Sequence, residues 1–445
     1  MAPPTFVPES YNAVVDDGSG HQPRILDRSE HNISRSNIDP HTLKVLYRLH
    51  NSGKKAYMVG GAVRDLLLDR RPKDFDVGTD ARPGEIRRLF RNSRIIGRRF
   101  RLAHVFFPDG IVEVATFRRE PSPQEQESGQ DELLITSDNT YGTPRQDAFR
   151  RDFTINALFY NIADFSVIDY VGGIDDLDDG LIRVIGDPDV RFAEDPVRLL
   201  RAIEFAARLG FDLESGTAAG IQRNKEEIAK ASPARLTEEI VQLLRCGHAG
   251  DALQLMLDFG LLEELLPEVY AMVAADERGL GSFNRIPVVF DEMVEEGREL
   301  EDAGLLAAVL LPTVLLRRYD IEGVDDHPMS RAGLEAMVEE VVAPFAARFS
   351  LSRVRTERVV GGLKVFLRMC EPEWSAEARR RFAVRRYFDE ALFLFEILTR
   401  ATGDGAEALA AWQQAARDRP EPRPESRPAS GAGRRPRRRR RKRRR

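Results

Sequence analysis

The sequence predicts a small α/β domain built on a mixed β-sheet, followed by an all-helical region and a disordered basic tail. Three observations support this fold class. Short strand-like and helical segments alternate up to about residue 185, the later segments have helical periodicity, and the chain ends in Pro-rich and then Arg-rich sequence. Because a chain of 445 residues exceeds the ~250–300 residues that one core supports, we expect several domains.

The composition is that of a globular protein, with 42% hydrophobic and 31% charged residues. No run reaches the ~18 apolar residues of a membrane span, and the N-terminus lacks the cationic and then apolar pattern of a secretory signal. Cys246 and Cys370 are far apart in sequence, which excludes a disulfide framework and a thiolate zinc site. We expect a cytoplasmic protein without a membrane partner.

The elements of the α/β domain follow from periodicity and turn residues. Leu43, Leu46 and Leu49 have helical spacing in residues 40–50, and Gly53 ends that helix. The next predicted elements are strand 56–59, helix 62–68, strand 74–77, a helix from Pro83, and strands 94–96, 102–107 and 111–117. A polar, turn-rich surface excursion is predicted at 119–146, and a closing strand pair at 166–171 and 181–185. Helices are predicted at 196–209, 233–245, 251–259, 305–317, 354–369 and 380–399.

Charge is segregated along the chain. Of the 67 lysines and arginines, eleven lie in residues 434–445, which contain no acid, so the remainder holds 56 bases against 72 acids. A cationic tail attracts phosphate polymers by releasing their counterions. We expect this tail to bind nucleic acid; the alternatives are a solubilising tail and a patch for acidic proteins.

Two glycines, Gly60 and Gly61, stand between strand 56–59 and helix 62–68, with Arg64 close behind. Such a turn lets backbone amides approach an anion at the start of a helix, and the arginine adds a positive charge. A plain strand-to-helix turn explains the glycines equally well. The familiar phosphate-binding loops, GxGxxG and GxxxxGK[ST], are absent.

Asp74 and Asp76 lie at positions i and i+2 of a predicted strand, so their carboxylates share one face while Phe75 points into the opposite layer. Converging carboxylates bind Mg²⁺, and a pair of ions stabilises both oxygens of a displacement. A solvated turn is the alternative. Glu113, on predicted strand 111–117, either joins these carboxylates or faces water, because periodicity does not order the strands.

Two further charged clusters follow. Residues 150–156 (RRDFTIN) begin a segment whose apolar continuation is predicted as a helix. Asp195 precedes Pro196 and is expected as the N-cap of the next helix. Arg198 and Arg201 lie three residues apart on that helix. Their guanidinium groups could read a nucleobase edge or hold phosphates, and a solvated helix face is the alternative.

In this order the motifs resemble those of the class II nucleotidyltransferases, the superfamily of bacterial poly(A) polymerases and tRNA CCA-adding enzymes. The resemblance extends from about His31 to Pro267 and rests on GGAVRD followed by DFD, on RRDFTINAL, on EDPVRLLRAIEFAARLG and on PARLTEE. Residues 96–105 (IGRRFRLAHV), the segment before the glycine turn and the arginine-rich end are similar to the poly(A) polymerase branch.

The resemblance implies a small β-sheet head, the nucleotidyltransferase domain, followed by helical neck, body and leg regions. We accordingly expect a loose arm at 1–30, the head at 31–172, the neck at 173–270, an RNA-binding body and leg at 271–417, and a disordered linker and tail at 418–445.

The resemblance also implies residue roles. Metal binding falls to Asp74 and Asp76, with two Mg²⁺ ions, and further catalytic acids would be Asp152 and Glu113. For nucleotide binding, the resemblance implies that Gly60, Gly61 and Arg64 hold the triphosphate. Arg151, Asp152 and Asn156 would lie at the ribose and sugar-phosphate. Asp195 and Arg198 would read the base, and Arg201 is a further nucleotide-binding residue. RNA binding falls in part to the tail residues Arg434, Arg435, Arg437, Arg438, Arg439, Arg440, Arg441 and Lys442.

The implied reaction is template-independent polyadenylation, in which an RNA 3′-hydroxyl attacks the α-phosphate of ATP and pyrophosphate leaves. The expected partners are RNA 3′ ends, ATP and RNA-decay proteins, and no DNA is expected. One rival is a tRNA nucleotidyltransferase that adds CCA or only A with the same fold and metals. The other is an inactive RNA-binding adaptor, against which the intact Asp74, Asp76, Asp152 and Arg198 argue.

Overall fold

The computed structural model describes residues 22–97, 101–119, 140–275, 277–325, 329–371 and 373–419. Within these ranges an α/β head precedes a long helical region, which confirms the predicted fold class. In the described part of the chain, no helix is both long and apolar enough to cross a membrane.

A mixed sheet of eight strands forms the head. In chain order these are β1 (Arg24–Leu26), β2 (Ala56–Val59), β3 (Asp76–Thr79), β4 (Ser93–Ile96), β5 (Leu102–Phe107), β6 (Gly110–Thr116), β7 (Leu158–Asn161) and β8 (Val167–Asp169). Their order across the sheet is β1-β8-β7-β2-β3-β6-β5-β4. β3 and β6 are parallel, whereas the other neighbours are antiparallel. The sheet therefore brings β3 and β6 together, although 30 residues of chain separate Thr79 from Gly110.

Both faces of the sheet are covered. Along β2, Ala56 and Met58 belong to the main hydrophobic core, and Tyr57 and Val59 belong to a second cluster on the opposite face. This alternation is the expected result of a strand with one side chain on each face in turn. The helices of the head are α1 (Pro40–Asn51), α2 (Gly61–Leu67), α3 (Pro83–Leu89), α4 (Pro144–Phe149) and α5 (Gly173–Asp179).

The helical region continues from the head without a break in the core. It contains α6 (Pro188–Glu194), α7 (Val197–Leu209), α8 (Ser215–Asn224), α9 (Pro233–Leu244), α10 (Ala249–Asp258), α11 (Leu261–Leu265), α12 (Pro267–Ala275), α13 (Glu277–Glu295), α14 (Asp302–Asp325), α15 (Arg331–Arg348), α16 (Arg353–Met369), α17 (Ala376–Phe382), α18 (Phe388–Thr402) and α19 (Ala406–Arg417). A short parallel pair, β9 (Leu181–Ile182) and β10 (Asp212–Leu213), lies near its start. One cluster of buried side chains extends from Ile33 to Ala415, so the head and the helices share a core.

The segment after Asn156 differs from the prediction of a helix. A short 3₁₀ turn at Thr154–Asn156 leads into strand β7. This strand pairs with β2 on one side and β8 on the other. A short, continuously apolar run has no periodicity that separates a buried strand from a buried helix. Its position between β8 and β2, in the middle of the sheet, makes this run a strand.

Other boundaries also differ. β1 lies inside the expected loose arm, and the two predicted closing strands do not pair with each other, since β8 pairs with β1 and β7 while β9 pairs with β10. The predicted helix 380–399 is two helices, α17 and α18, separated at Tyr387, whose φ is 66°. β3 begins at Asp76, so Asp74 precedes the strand.

Candidate active site

Gly60 brings the turn after β2 against an arginine. Its φ of 76° and ψ of −139° lie in a region that side chains other than hydrogen rarely occupy. A Cβ added there would also lie 3.1 Å from Nη1 of Arg151. That arginine donates to the carbonyl of Asn156 at 3.2 Å and pairs with the buried Asp147 at 3.0 Å. The glycine is therefore required by backbone conformation and by the approach of a guanidinium.

The guanidinium of Arg64 lies against the same turn, with Nη2 at 3.3 Å from the position of a Cβ added at Gly61, and it is buried. Only 3% of its side chain is exposed, and it pairs with Asp65 at 2.7 Å. Its Nη1 donates to the side-chain oxygen of Asn156, and its guanidinium lies over the ring of Phe205. Burial lowers the pKa of Arg64. In this structure the residue joins the head to helix α7.

Asp74 and Asp76 lie in a cleft of about 1270 Å³ at the start of β3. Val77 is opposite Val114 in the parallel pairing of β3 with β6, so the residues one position earlier, Asp76 and Glu113, are also neighbours on one face. Phe75 packs against the main core, as the alternation predicts. Asp74, Asp76 and Glu113 therefore line the same cleft.

In the described part of the chain, no basic side chain forms an ion pair with the carboxyl group of Asp76. Its pKa is raised, first by desolvation and then by the negative charges of Glu113 and Asp74, while Arg151 opposes the shift. Among the described residues, no side chain forms a hydrogen bond or ion pair with Asp74 or with the carboxyl of Asp76. A site with excess negative charge and free carboxylate oxygens has the chemistry of a cation site.

Glu113 has its own partner. His104, opposite it on β5, places Nε2 at 3.1 Å from the glutamate Oε1. In the described part of the chain, no group of three His, Cys, Asp or Glu side chains is arranged to enclose a metal ion. The two aspartates are thus an open pair of oxygen ligands, and Glu113 lies beside them in a separate contact.

Asp152 belongs to a different cluster from Asp74 and Asp76. Its carboxylate accepts hydrogen bonds from Nε and Nη2 of Arg201 at 2.9 and 2.5 Å, and from the backbone of Phe153 at 2.8 Å. Burial acts to raise the pKa of Asp152, but the charge and hydrogen bonds of Arg201 hold it below its ordinary value. Glu239 lies 3.8 Å from the same arginine. Asp152 therefore links the head to helices α7 and α9.

Asp195 does not cap α7, since Pro196 takes the N-cap position without a side-chain hydrogen bond. Its carboxylate instead receives Arg235 from the start of α9, with Nη1 and Nη2 at 2.6 and 2.9 Å. Arg235 lies in the PARLTEE motif, for which the sequence predicted no role. Arg235 is the third residue of a predicted helix, and this position was the only indication in the sequence that it could have a role. Its partner could not be predicted, because Asp195 lies 40 residues away in sequence.

Arg198 is mostly buried beside this pair, with 13% of its side chain exposed. Its Nη1 donates to the carbonyl of Arg191 at 2.8 Å. Desolvation lowers the pKa of Arg198, and the neighbouring Arg191 adds to that effect. The expected base-reading pair thus lies at one location, while the tail residues expected to bind RNA and residues 98–100 of the branch-specific element lie outside the described residues.

Two protein-family models match this chain. Residues 56–183, which include β2, Asp74, Asp76 and Asp152, match the "Poly A polymerase head domain". This part of the chain is therefore similar to a poly A polymerase head domain. Residues 210–272, from the end of α7 into α12, match the "Probable RNA and SrmB- binding site of polymerase A". The match to the head domain is therefore followed along the chain by a match to a second model, also described for polymerase A.

Curated proteins are also similar to this chain. Poly(A) polymerase I of Salmonella typhimurium is 49% identical over 250 residues, which are 55% of this chain and 54% of that protein. The CCA-adding enzyme of Bacillus velezensis is 37% identical over 223 residues, 50% of this chain and 54% of that protein. The chain thus matches about half the length of these curated relatives.

The fold beyond the head domain is also shared with solved structures. A crystal structure of the Bacillus stearothermophilus CCA-adding enzyme in complex with CTP has a TM-score of 0.61 and 23% sequence identity, and covers 85% of this chain and 82% of that one. At this identity the likeness concerns the fold alone. It extends over the helical region, which the curated relatives match less completely.

Proposed function

We propose that this protein adds adenylate residues to RNA 3′ ends without a template, transferring AMP from ATP and releasing pyrophosphate. The observation that carries the proposal is the pair Asp74 and Asp76, unpaired and facing a cleft inside a poly A polymerase head domain. The 49% identity to poly(A) polymerase I over 250 residues supports the choice of ATP and RNA as substrates.

The chemistry is a single displacement. The RNA 3′-oxygen forms a bond to the α-phosphorus of ATP while the bond from that phosphorus to the bridging oxygen breaks, and the hydroxyl proton passes to solvent. No covalent enzyme intermediate is required, so the protein acts by positioning groups and stabilising charge. Positively charged Arg151, beside the Gly60 turn, is suited to the sugar-phosphate.

The open carboxylate pair fits a divalent cation. Asp74 and Asp76 would hold it, since both carboxyls lack a base and the charge of Glu113 already disfavours a bare anion at Asp76. We propose Mg²⁺, as two ions, because Mg²⁺ keeps several waters and binds substrate phosphates rather than a closed protein cage. When bound, it lowers the pKa of the attacking hydroxyl and neutralises charge on the leaving pyrophosphate.

Side chains select the base, because no template strand is read. Asp195 and Arg198 can present an acceptor and donors to the edge of adenine. Arg235 positions Asp195 through two hydrogen bonds. Asp152, Asn156 and Arg201 would lie at the ribose and sugar-phosphate, with the Asp152–Arg201 pair as the rigid support of that side of the pocket. Arg64 would act indirectly, because its Nη1 donates a hydrogen bond to the side-chain oxygen of Asn156 and so fixes that residue.

A primer-extension assay tests the proposal. Purified protein receives Mg²⁺, each nucleoside triphosphate separately, and either an unstructured RNA or a tRNA lacking its CCA end. We expect long adenylate ladders on the unstructured RNA. Asp74→Asn should keep the fold and abolish transfer, and the exposed Asp178→Asn is the matched control.

A different result would identify the rival activity. Addition that needs CTP and stops after three residues on the tRNA would make this chain a CCA-adding enzyme, as the 37% identity to such an enzyme would allow. Transfer by Asp74→Asn at the wild-type rate would contradict the mechanism itself. As partners we propose mRNA and other transcripts, together with proteins of RNA decay, and as location the cytoplasm.

A further inference from the structure

The aromatic ring of Phe205 lies where helix α7 meets the head. Only 6% of this residue is exposed. Its ring meets the ring of Phe153, a residue of the head, edge-on, with 5.6 Å between the centroids and an interplanar angle of 79°. Phe205 is therefore one of the side chains through which the first long helix of the helical region packs against the head.

Three guanidinium groups surround this ring. The Cζ atoms of Arg64, Arg201 and Arg208 each lie 5.2 Å from its centroid. Arg201 and Arg208 lie four residues before and three residues after Phe205, and therefore on the same face of α7, whereas Arg64 belongs to α2 of the head. A cation within about 6 Å of an aromatic centroid is attracted by the π electrons, most strongly where water is excluded. The ring thus holds one arginine of the head beside two of the helix.

Carboxylates offset the repulsion between these cations. Each arginine has one close acidic partner, in the pairs Arg64–Asp65 at 2.7 Å, Arg201–Asp152 at 2.5 Å and Arg208–Glu204 at 2.7 Å. Burial lowers the pKa of Arg64, and the charge of Arg208 adds to that effect. The close approach of the three guanidinium groups is therefore unfavourable by itself, and it is stabilised by the carboxylates and by the ring of Phe205.

Two of these arginines complete a closed cycle of contacts, which we call the contact cycle. Nη1 of Arg64 donates to Oδ1 of Asn156. Nδ2 of Asn156 donates to Oδ1 of Asp152 at 3.4 Å, and Oδ2 of Asp152 accepts two hydrogen bonds from Arg201. Both arginines then lie against Phe205. Phe205 is thus the one member of the contact cycle that contributes no polar group.

The contact cycle fixes the orientation of the Asn156 amide. A guanidinium only donates hydrogen bonds, so the amide oxygen must face Arg64 and the amide nitrogen must face Asp152. In the described contacts, one N–H of that nitrogen donates to Asp152, and its second N–H has no acceptor. A free N–H beside a carboxylate offers a donor and an acceptor together. A ribose hydroxyl, which both accepts and donates, is complementary to that pair.

We propose that Phe205 is a positioning residue for recognition of a ribose hydroxyl of the incoming nucleotide. By holding Arg64 and Arg201, its ring keeps Asn156 and Asp152 in the arrangement that donates to and accepts from that hydroxyl. The inference rests on the proposed function, which identifies the ligand as ATP. Phe205 acts only through these four residues, and it makes the enzyme select ATP over an analogue that lacks the hydroxyl.

Calorimetric titration with ATP, 2′-deoxyATP and 3′-deoxyATP tests this proposal without requiring turnover. Phe205→Leu keeps a large apolar side chain but removes the aromatic faces, and Phe205→Tyr is the conservative variant that keeps them. The matched control is Phe290→Leu. Phe290 is also fully buried, but its side chain lines a small cavity formed by apolar residues of α10, α12, α13 and α14. Thermal melting of the variants checks that they are folded.

Phe205→Leu should bind ATP about tenfold more weakly than wild type, which corresponds to ~1.4 kcal/mol. Its affinity for the analogue that lacks the recognised hydroxyl should be unchanged, so the selectivity between ATP and that analogue falls by the same factor. The choice between the two analogues identifies the hydroxyl. Phe205→Tyr should keep most of the selectivity and Phe290→Leu all of it. A merely structural role of Phe205 would instead weaken the binding of all three nucleotides equally.

Melting temperatures provide a second readout, which involves no nucleotide. If the ring holds Arg201, Phe205→Leu combined with Arg201→Gln should lower the melting temperature by less than the sum of the two single effects. The reason is that the second change removes a contact that is already lost. Phe290→Leu combined with Arg201→Gln should be additive, because Phe290 packs among other helices.

Wild-type selectivity in Phe205→Leu against both analogues would overturn the proposal, and so would an equal loss of affinity for all three nucleotides. A loss of selectivity in Phe290→Leu would also overturn it, since any weakened core would then have the same effect. Additive melting effects of Phe205→Leu and Arg201→Gln would show that the ring does not hold the arginine. Failure of the wild type to add adenylate to RNA would contradict the proposed function, whereas a selectivity change confined to Phe205→Leu would still support the role of this ring.

Discussion

Arg235 holds the carboxylate of Asp195 with both terminal guanidinium nitrogens, at 2.6 and 2.9 Å, across 40 residues of sequence. The contact connects the start of α9 to the residue that directly follows α6. A planar guanidinium that meets a carboxylate with two hydrogen bonds fixes its orientation as well as its position. The orientation of the Asp195 carboxylate is therefore set by a residue of the helical region.

Arg235→Ala should lower the preference for ATP over CTP by about tenfold, equivalent to ~1.4 kcal/mol, because the freed Asp195 carboxylate would adopt several orientations. Arg235→Lys should recover the charge without the two-point contact, and so restore only part of the preference. Competition between the two nucleotides in single-turnover extension measures this. Arg223→Ala, which breaks an exposed ion pair with Asp189, is the control. A selectivity equal to wild type in Arg235→Ala would show that Asp195 needs no positioning.

Arg198→Ala should lose preference for ATP together with rate. The guanidinium is mostly buried and fixed by the carbonyl of Arg191, so its removal leaves polar groups of the pocket and of the base unpaired. Such a group costs ~1–3 kcal/mol, or about 5- to 150-fold. Incorporation rates for the four nucleoside triphosphates provide the measurement. A slower enzyme with the same order of nucleotides would assign Arg198 to general pocket structure.

Asp76→Asn should abolish transfer and raise thermal stability at neutral pH. The folded-state pKa of Asp76 is raised by desolvation and by Glu113 and Asp74. Ionisation of such a carboxyl disfavours the folded state, and the penalty vanishes below its unfolded pKa of about 3.9. The stability gain of the variant should therefore be present at neutral pH and disappear as the pH falls towards that value.

Melting temperatures measured against pH, with and without Mg²⁺, test both parts of this prediction. Mg²⁺ should stabilise the wild type and have a smaller effect on Asp76→Asn. Equal stabilisation of the two proteins by Mg²⁺ would place the ion elsewhere. Asp178→Asn, at an exposed position of α5, corrects for the general effect of removing one negative charge.

Arg201→Gln should destabilise the fold, because it leaves the carboxylate of Asp152 without its cation. Loss of one partner of a buried pair costs about 3–5 kcal/mol, and we expect the lower end since 35% of the Arg201 side chain is exposed. The double variant Asp152→Asn with Arg201→Gln should recover part of that loss. Urea unfolding at neutral pH measures the free energy of unfolding of the wild type and of the two variants. Greater destabilisation in the double variant would contradict this account.

The same pair predicts a pH dependence. The pKa of Asp152 is lowered by Arg201 in the folded state, so its contribution to stability is complete above the unfolded pKa of about 3.9 and is lost as the pH falls through the folded pKa. Unfolding free energies of wild type and Arg201→Gln should therefore converge in acid. A difference independent of pH would mean that Arg201 stabilises by packing.

Deletion of residues 434–445 should weaken RNA binding and flatten its salt dependence, because eleven cationic side chains leave with the segment. The rate of single-nucleotide addition at saturating RNA should change little. Affinity measured over a series of salt concentrations, beside extension rates, separates the two effects. An unchanged salt slope would assign the tail to a protein partner.

Much of the fold follows from local sequence. The helix at residues 40–51, strand 56–59 and strand 102–107 were predicted within one residue, because their periodicity and flanking glycines or prolines act over a few positions. The pairing of Asp74 with Asp76 was also predictable, since two residues two positions apart stay close in any extended segment. The contact of Glu113 with His104 required the order of the strands.

The sequence by itself determined the fold class, the location of the carboxylate pair and the segregation of positive charge into the tail, because each depends on residues that are near one another along the chain. Only the tertiary structure decided that the segment after Asn156 is a strand, that Arg64 is buried against Phe205, and that Asp195 meets Arg235. These features depend on which distant segments pack together. Periodicity along the sequence does not report such contacts, because the burial of a side chain and the identity of its partners depend on how the whole chain packs.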